Sequence, residues 1–278
     1  MCIRDSPCTY YYGFVNNKPP LDDVRVRRAL VQSIDRQSLI DNVLKGGQIP
    51  ATSFAPPGIF GAPEPGTVGL PYDPDAARAS LQEYLDEQGL TIEQFNTQSP
   101  ITLMYNTSEG HALIAAAIQQ MWNDTLGVDV RVENQEWSVY LDTIQKDTPI
   151  DDAPHVFRLG WCADYPDQNN WVHEVFNSEA GANRLRRGCN DATCTSVTPS
   201  EFDELTAAAA IEPDPAVREE MYREAERILA DEEAAYAPIY HYTIVRVTKP
   251  WLTRNYPLLG GNDFFNWTID WEAKQAAQ

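Results

Sequence analysis

Residues 158–171, RLGWCADYPDQNNW, place an arginine, two tryptophans, a cysteine and two aspartates within fourteen positions. Arg158 and Asp164 would each cost several kcal/mol if buried unpaired. Side chains of this kind recognise charge. A carboxylate grips an ammonium, and the planar fork of an arginine grips a carboxylate. The competing reading is a mutual Arg158–Asp164 salt bridge capped by core tryptophans, which would bind nothing. Two other stretches add to the set: NTSEGH (106–111) supplies His111, and NQEW (134–137) supplies Glu136 and Trp137.

Signatures of catalysis are missing. The sequence holds no G-x-S-x-G elbow, no H-E-x-x-H helix, no P-loop and no G-x-G-x-x-G after a strand. His111, His155, His173 and His241 are widely spaced, and a lone histidine is more often structural than catalytic. With 41 acidic residues, carboxylate pairs arise by chance, so no glycosidase-like pair stands out. The five cysteines form no Cys-x-x-Cys pair and keep no histidine cluster beside them, which argues against zinc. On these residues no catalytic group, metal site or cofactor site is expected, and a hydrolase stays open as the reading from another class.

The elements that must carry these residues follow from periodicity and punctuation. Residues 10–15, YYYGFV, read as a strand. Asp22 or Asp23 caps a helix that restarts at Asp35 and ends at the Gly46–Gly47 pair. Residues 50–72, with APPGIFGAPEPG, are too rich in proline and glycine for regular structure. Asp73-Pro74 opens a helix with Ala77, Leu81 and Leu85 on one face. ITLMYN (101–106) is a strand, 108–126 a helix with Leu113, Ala117 and Met121 at helical spacing, VDVRV (128–132) a strand, 137–145 a short helix and 155–161 a strand. This alternation predicts right-handed crossovers and a mostly parallel sheet flanked by helices. Two more helices and a β segment at 236–247 follow, then an aromatic, irregular tail from 249.

In such a sheet ligands bind outside the carboxyl ends of the strands. Three successive strand ends then gather His111, Glu136, Trp137, Arg158, Trp161 and Asp164. Cations, carboxylates and indoles together suit a zwitterionic ligand with an apolar body.

Bulk properties narrow the partners. Net charge is −20, which argues against nucleic acid and anionic membrane, since both need a basic patch. No apolar run reaches the roughly 18 residues of a membrane span. MCIRDSPCTYYY lacks the basic and apolar regions of a secretory signal. Cys189 and Cys194 bracket CNDATC, a turn-like stretch that a disulfide can close, and Cys2 is the expected spare.

PCTYYYGFVNNKPPLDDVRVRRAL, NTSEGHALIAAAIQQMWNDTLGVDVRVENQEWSVYLDT, RLGWCADYPDQNNW and YAPIYHYTIVRVTKPWL, in this order and spacing, resemble the solute-binding proteins of peptide ABC transporters, above all the oligopeptide-binding type. The likeness runs from about Pro7 to the end and matches only the family's C-terminal half. It implies an α/β lobe of the type II periplasmic-binding-protein fold, truncated at the N-terminus. Residues 16–241 would form the ligand lobe, while 1–15 and 242–278 would belong to the N-terminal lobe. MCIRDS (1–6) does not look like family sequence, and a truncated reading frame with a foreign or mis-called start is expected. Weak or no peptide affinity is expected of these 278 residues alone.

The resemblance also assigns roles. Asp164, in the intact W-C-A-D-Y motif, would take the peptide's ammonium. Arg158 would take its terminal carboxylate, and His111 would serve longer peptides. Trp137 and Trp161 match tryptophans that line side-chain pockets. Ile144 stands where some family members carry a further basic residue. Cys8–Cys162 matches a family disulfide, with Cys189–Cys194 a second expected pair. The implied partners are a peptide and a membrane ABC permease, and the expected state is a periplasmic or otherwise extracytoplasmic monomer, lipid-anchored or free. Other solutes of the same family are the nearest alternative.

Overall fold

The computed structural model describes residues 2–179, 181–254 and 264–277, with the side chains of 2–6 and 244–246 outside that description. The side chain of the expected spare, Cys2, and tail residues 255–263 therefore lie outside the described residues.

Strand β1 spans Cys2–Phe14. Its aromatic run serves two cores. Tyr10, Tyr12 and Phe14 enter one hydrophobic cluster, and Tyr11 enters the other. A strand buried on both faces reads as a continuous apolar run because the pleat sends alternate side chains to opposite sides.

Helix α1 (Val24–Gln32) starts at Asp23, whose carboxylate accepts from the Arg25 amide. Asp35 restarts the chain as α2 (Arg36–Leu39). The short strand β2 (Ile49–Pro50) precedes the proline-rich loop. Helix α3 (Pro74–Gln88) is capped by Asp73, stops at Gly89 with φ 65°, and buries Ala77, Leu81 and Leu85 as their spacing predicts. Helix α4 (Ile92–Gln98) adds an element that periodicity missed, although its Thr91–Gln94 capping box is written in the sequence.

The remaining elements are β3 (Ile101–Asn106), α5 (Glu109–Leu126), β4 (Val130–Gln135), α6 (Trp137–Thr143), β5 (Val156–Cys162), α7 (His173–Phe176), α8 (Glu201–Ile211), α9 (Pro215–Arg227) and β6 (Tyr236–Arg246). In the tail, β7 (Leu252–Thr253) pairs with β8 (Thr268–Ile269) ahead of α10 (Trp271–Ala276). Helix α5 corrects one expectation. Its buried face is Ile114, Ala115, Ile118, Trp122 and Leu126, while Leu113 is 61% exposed. Both stripes are apolar in ALIAAAIQQMW. The helix turns its largest side chain inward, and the Trp122 indole donates to the Leu30 carbonyl at 2.9 Å.

The six strands order as β2-β6-β1-β5-β3-β4. β3 pairs in parallel with both β4 and β5, whereas β1 pairs antiparallel with β5 and β6, and β2 antiparallel with β6. The sheet is mixed, which corrects the expected mostly parallel one. Crossover reasoning holds for β3, β4, β5 and β6, which all point one way. It says nothing of β1, which enters between β5 and β6 and runs against both. The two cores lie on opposite faces, one under α1, α3 and α5 and the other under α6, α8 and α9.

Both expected disulfides are present, Cys8–Cys162 and Cys189–Cys194. Cys8 and Cys162 face each other directly across the β1–β5 ladder.

Candidate functional site

Strand β5 reads VFRLGWC, and its pleat divides the candidate residues. Phe157, Leu159 and Trp161 point to the α8–α9 core, and Arg158 points to the other face. The Arg158 guanidinium lies 4.3 Å over the Tyr10 ring. Its Nη2 donates to the Tyr242 hydroxyl at 2.9 Å and its Nη1 to Asn106 Oδ1 at 3.3 Å, while Nε has no partner among the described residues. Gly160 packs closely on β1: a Cβ there would stand 3.3 Å from the Thr9 carbonyl, a tight approach, and 3.6 Å from Arg158 Nη2, an ordinary contact. Arg158 is 8% exposed, and no carboxylate among the described residues pairs with it. Burial disfavours its charge, yet the hydroxyls of Tyr10, Tyr242 and Tyr240 outweigh burial and hold its pKa above the ordinary value. A buried arginine met only by neutral groups keeps its full charge for an anion.

His111 sits in the first turn of α5, with Nδ1 3.3 Å from the Tyr10 hydroxyl. Burial, and then the charge of Arg158, push its pKa down to about 4. It is a neutral hydrogen-bonding group at neutral pH, not a second cation.

Asp164 is exposed on the loop after β5. Asn170 holds it from both ends: the Asp164 amide donates to Asn170 Oδ1 at 2.9 Å, and Asn170 Nδ2 donates to Asp164 Oδ2 at 3.2 Å. The same Nδ2 donates to Glu174 Oε2 at 2.7 Å. The competing reading therefore fails, because Arg158 and Asp164 are not each other's partners.

The tryptophans belong to the opposite sheet face from Arg158. Trp137 opens α6, is 45% exposed and stacks on Tyr140 at 6.1 Å. The Tyr140 hydroxyl lies against the Met104 and Arg158 carbonyls. Trp161 lines a cavity of about 50 Å³ with Tyr11, Leu159, Glu174, Phe176 and Arg184. Its Nε1 is buried without a partner among the described residues. Glu136, gathered with these residues at the strand ends, caps α6 by accepting from the Ser138 amide at 2.8 Å.

The fold thus joins Arg158 and His111 through Tyr10, sets Trp161 behind them, and places Asp164 past the strand end. Sequence reasoning missed Tyr10, Tyr242, Asn106, Asn170 and Arg184. For the tyrosines a signal existed: in YHY (240–242) the alternate residues share a face, and Tyr240 stacks on Tyr10 at 4.9 Å. The asparagines sit in loop-like sequence with no period to mark them. Among the described residues no group of three His, Cys, Asp or Glu side chains could hold a metal, and no helix is long and apolar enough to cross a membrane.

Comparison with known proteins bears on this arrangement. The profile of the bacterial extracellular solute-binding proteins, family 5 Middle, matches residues 3–183. The periplasmic oligopeptide-binding protein OppA of Salmonella typhimurium is 34% identical over 254 residues, which is 90% of this chain and 43% of the relative. The periplasmic murein peptide-binding protein MppA of Escherichia coli is 36% identical over 260 residues, 92% of this chain and 44% of the relative. The chain spans under half the length of these curated relatives. Among solved structures, that of E. coli MppA superposes with a TM-score of 0.73 at 33% identity, over 96% of this chain and 49% of its own. Haemophilus influenzae OppA in complex with RPPGFSPFR superposes with a TM-score of 0.70 at 28% identity, over 96% of this chain and 49% of its own.

Proposed function

Since the chain belongs to the bacterial extracellular solute-binding proteins of family 5, we propose that it supplies the peptide-gripping lobe of the binding component of an ABC peptide importer. In this reading the lobe, of type II periplasmic-binding-protein form, runs from β1 to β6, because β1 lies between β5 and β6 in the lobe's own sheet instead of in a second lobe as expected. The tail after β6 belongs with a second lobe. The partners are a peptide and a membrane permease, and the protein works outside the cytoplasm as a monomer.

The observation that carries the proposal is the separation of Arg158 from Asp164. Each is held by neutral groups, and neither has an ion-pair partner among the described residues. One ligand with an ammonium at one end and a carboxylate at the other answers both. The peptide ammonium meets Asp164, whose orientation Asn170 sets. The terminal carboxylate meets the Arg158 fork, and His111 supplies a neutral hydrogen bond to longer ligands. Trp137 and Trp161 provide apolar walls that tolerate varied side chains. All of these contacts are reversible, and no step breaks a bond.

Calorimetry with di- to pentapeptides tests this, on the chain joined to the N-terminal half that the family likeness implies, since weak or no affinity is expected of the 278 residues alone. Free peptides should bind, N-acetylated ones should lose the Asp164 contact, and C-amidated ones the Arg158 contact. Equal affinity for all three forms would overturn the assignment of the termini. Cleaved peptide recovered after incubation would favour a hydrolase instead.

A further inference from the structure

The loop that carries Asp164 is held from behind by one face of α9. Arg218, Tyr222 and Glu226 stand four residues apart, so they share a face of that helix. Arg218 donates to both carboxylate oxygens of Asp167 at 2.6 and 2.7 Å. The Tyr222 hydroxyl donates to Asn169 Oδ1 at 3.4 Å. Glu226 Oε2 accepts from Gln168 Nε2. Three adjoining residues of the turn after Asp164 are thus gripped by three residues of one helix face.

Glu226 is the unusual member. It is 0% exposed and forms no salt bridge among the described residues. Its Oε1 accepts from the backbone amides of Phe54 and, at 3.3 Å, Ala55. The one carboxylate thus ties the proline-rich loop to the Gln168 turn. The turn is tied again by Gln168 N–H donating to the Phe60 carbonyl at 2.9 Å and by Phe60 N–H donating to the Pro166 carbonyl at 3.2 Å. Gln168 is also 0% exposed, and its Oε1 has no partner among the described residues. From Gln168 the chain leads within two residues to Asn170, which orients Asp164.

We propose that Glu226 is a positioning residue for ligand binding: through Gln168 it fixes the turn whose Asn170 aims the Asp164 carboxylate. The proposal rests on the reading of Asp164 as the ammonium grip. A neutral glutamine at 226 satisfies the same geometry. Its carbonyl accepts from Phe54 and Ala55, and its NH2 donates to Gln168 Oε1 once that amide turns over. An alanine satisfies neither side and leaves three buried donors unmet.

The test uses the full chain and two readouts: the affinity for trialanine, and hydrogen exchange of the Asp164, Trp171 and Val172 amides without ligand. Those amides donate to Asn170 Oδ1 and, for the last two, to the Gln168 carbonyl. Glu226→Ala should weaken trialanine roughly tenfold or more and speed exchange at the three amides by a similar factor. Glu226→Gln should restore both. Leu229→Ala, a buried truncation on the following turn, should lower Tm and move neither. Should Glu226→Ala fail to fold, Gln168→Ala breaks the same link from the other side and should behave alike. The proposal is overturned if Glu226→Ala leaves the three amides unchanged, if Leu229→Ala accelerates them equally, or if Glu226→Gln fails as Glu226→Ala does. If the 278 residues alone bind trialanine too weakly to read, as is expected of them, the exchange data decide the role of Glu226 and the peptide reading is judged separately.

Discussion

Arg158 and Asp164, six residues apart, do not touch: Asn106 holds one and Asn170 the other. Each asparagine satisfies hydrogen bonds without neutralising the charge it holds. The two charges are thereby kept apart and both remain available.

Arg158→Met should weaken peptides with a free terminal carboxylate by roughly ten- to a hundredfold, the worth of one charge-assisted pair. C-amidated peptides should be insensitive to it. Folding stability should change little, because no carboxylate among the described residues is left stranded and the apolar replacement removes a desolvation cost. Calorimetry and urea denaturation on the same variant separate the two effects, and a fall in stability with unchanged affinity would make Arg158 structural.

Asp164→Asn keeps the shape and removes the charge. Free peptides should lose roughly ten- to a hundredfold in affinity, and N-acetylated peptides almost nothing. Because Asp164 is exposed, Tm should stay within a degree or two of the wild type. Identical losses for free and acetylated peptides would remove Asp164 from the ammonium role.

Stability should fall with acid between pH 6.5 and 4. Burial lowers His241 to about 4, as it does His155. Such a group binds fewer protons folded than unfolded, so stability is lost as pH drops through that window. For His241, 3% exposed, the loss reaches about 3 kcal/mol. Glu226 works the other way. Burial raises its carboxyl to about 7, so the folded state binds the extra proton and gains stability as pH falls from 7 toward 4.5. Urea midpoints at pH 4.5 and 7.5 should show a shallower acid loss in His241→Asn and a steeper one in Glu226→Gln. Parallel slopes in all proteins would refute the assignment.

The two disulfides should differ in worth. Cys8 and Cys162 are separated by 154 residues, whereas Cys189 and Cys194 are separated by 5. Loop-closure entropy then gives about 5 kcal/mol for the long loop and about 2 kcal/mol for the short one. Cys8→Ser with Cys162→Ser should therefore lower the urea midpoint more than Cys189→Ser with Cys194→Ser. The reverse order would show that native-state packing, not chain entropy, sets their contributions.

Much of the fold was legible in the residues. Asp23, Asp35 and Asp73 cap helices where the sequence places them, Gly89 and Gly127 stop them, and β3, α5, α6 and β5 fall at or within a few residues of their expected bounds. These are local events, decided by side chains reaching their own backbone or by short-range periodicity. Which apolar stripe of α5 turns inward was not legible, because Leu113 and Ile114 are equally apolar and only the seat of Trp122 against Leu30 chooses between them.

The same division governs the site. Sequence by itself determined the chemical inventory: Arg158, Asp164, His111 and two indoles on a chain without catalytic signatures, with a family likeness that names their roles. Tertiary structure alone decided what those groups can do. It slotted β1 between β5 and β6, so Tyr10 and Tyr242 reach Arg158 from strands far away in sequence. It put Trp161 on the opposite face, made His111 neutral by burial beside Arg158, and backed the Asp164 loop with α9. The physical reason is that charge and pKa depend on distance and burial through space, and a linear order of residues specifies neither.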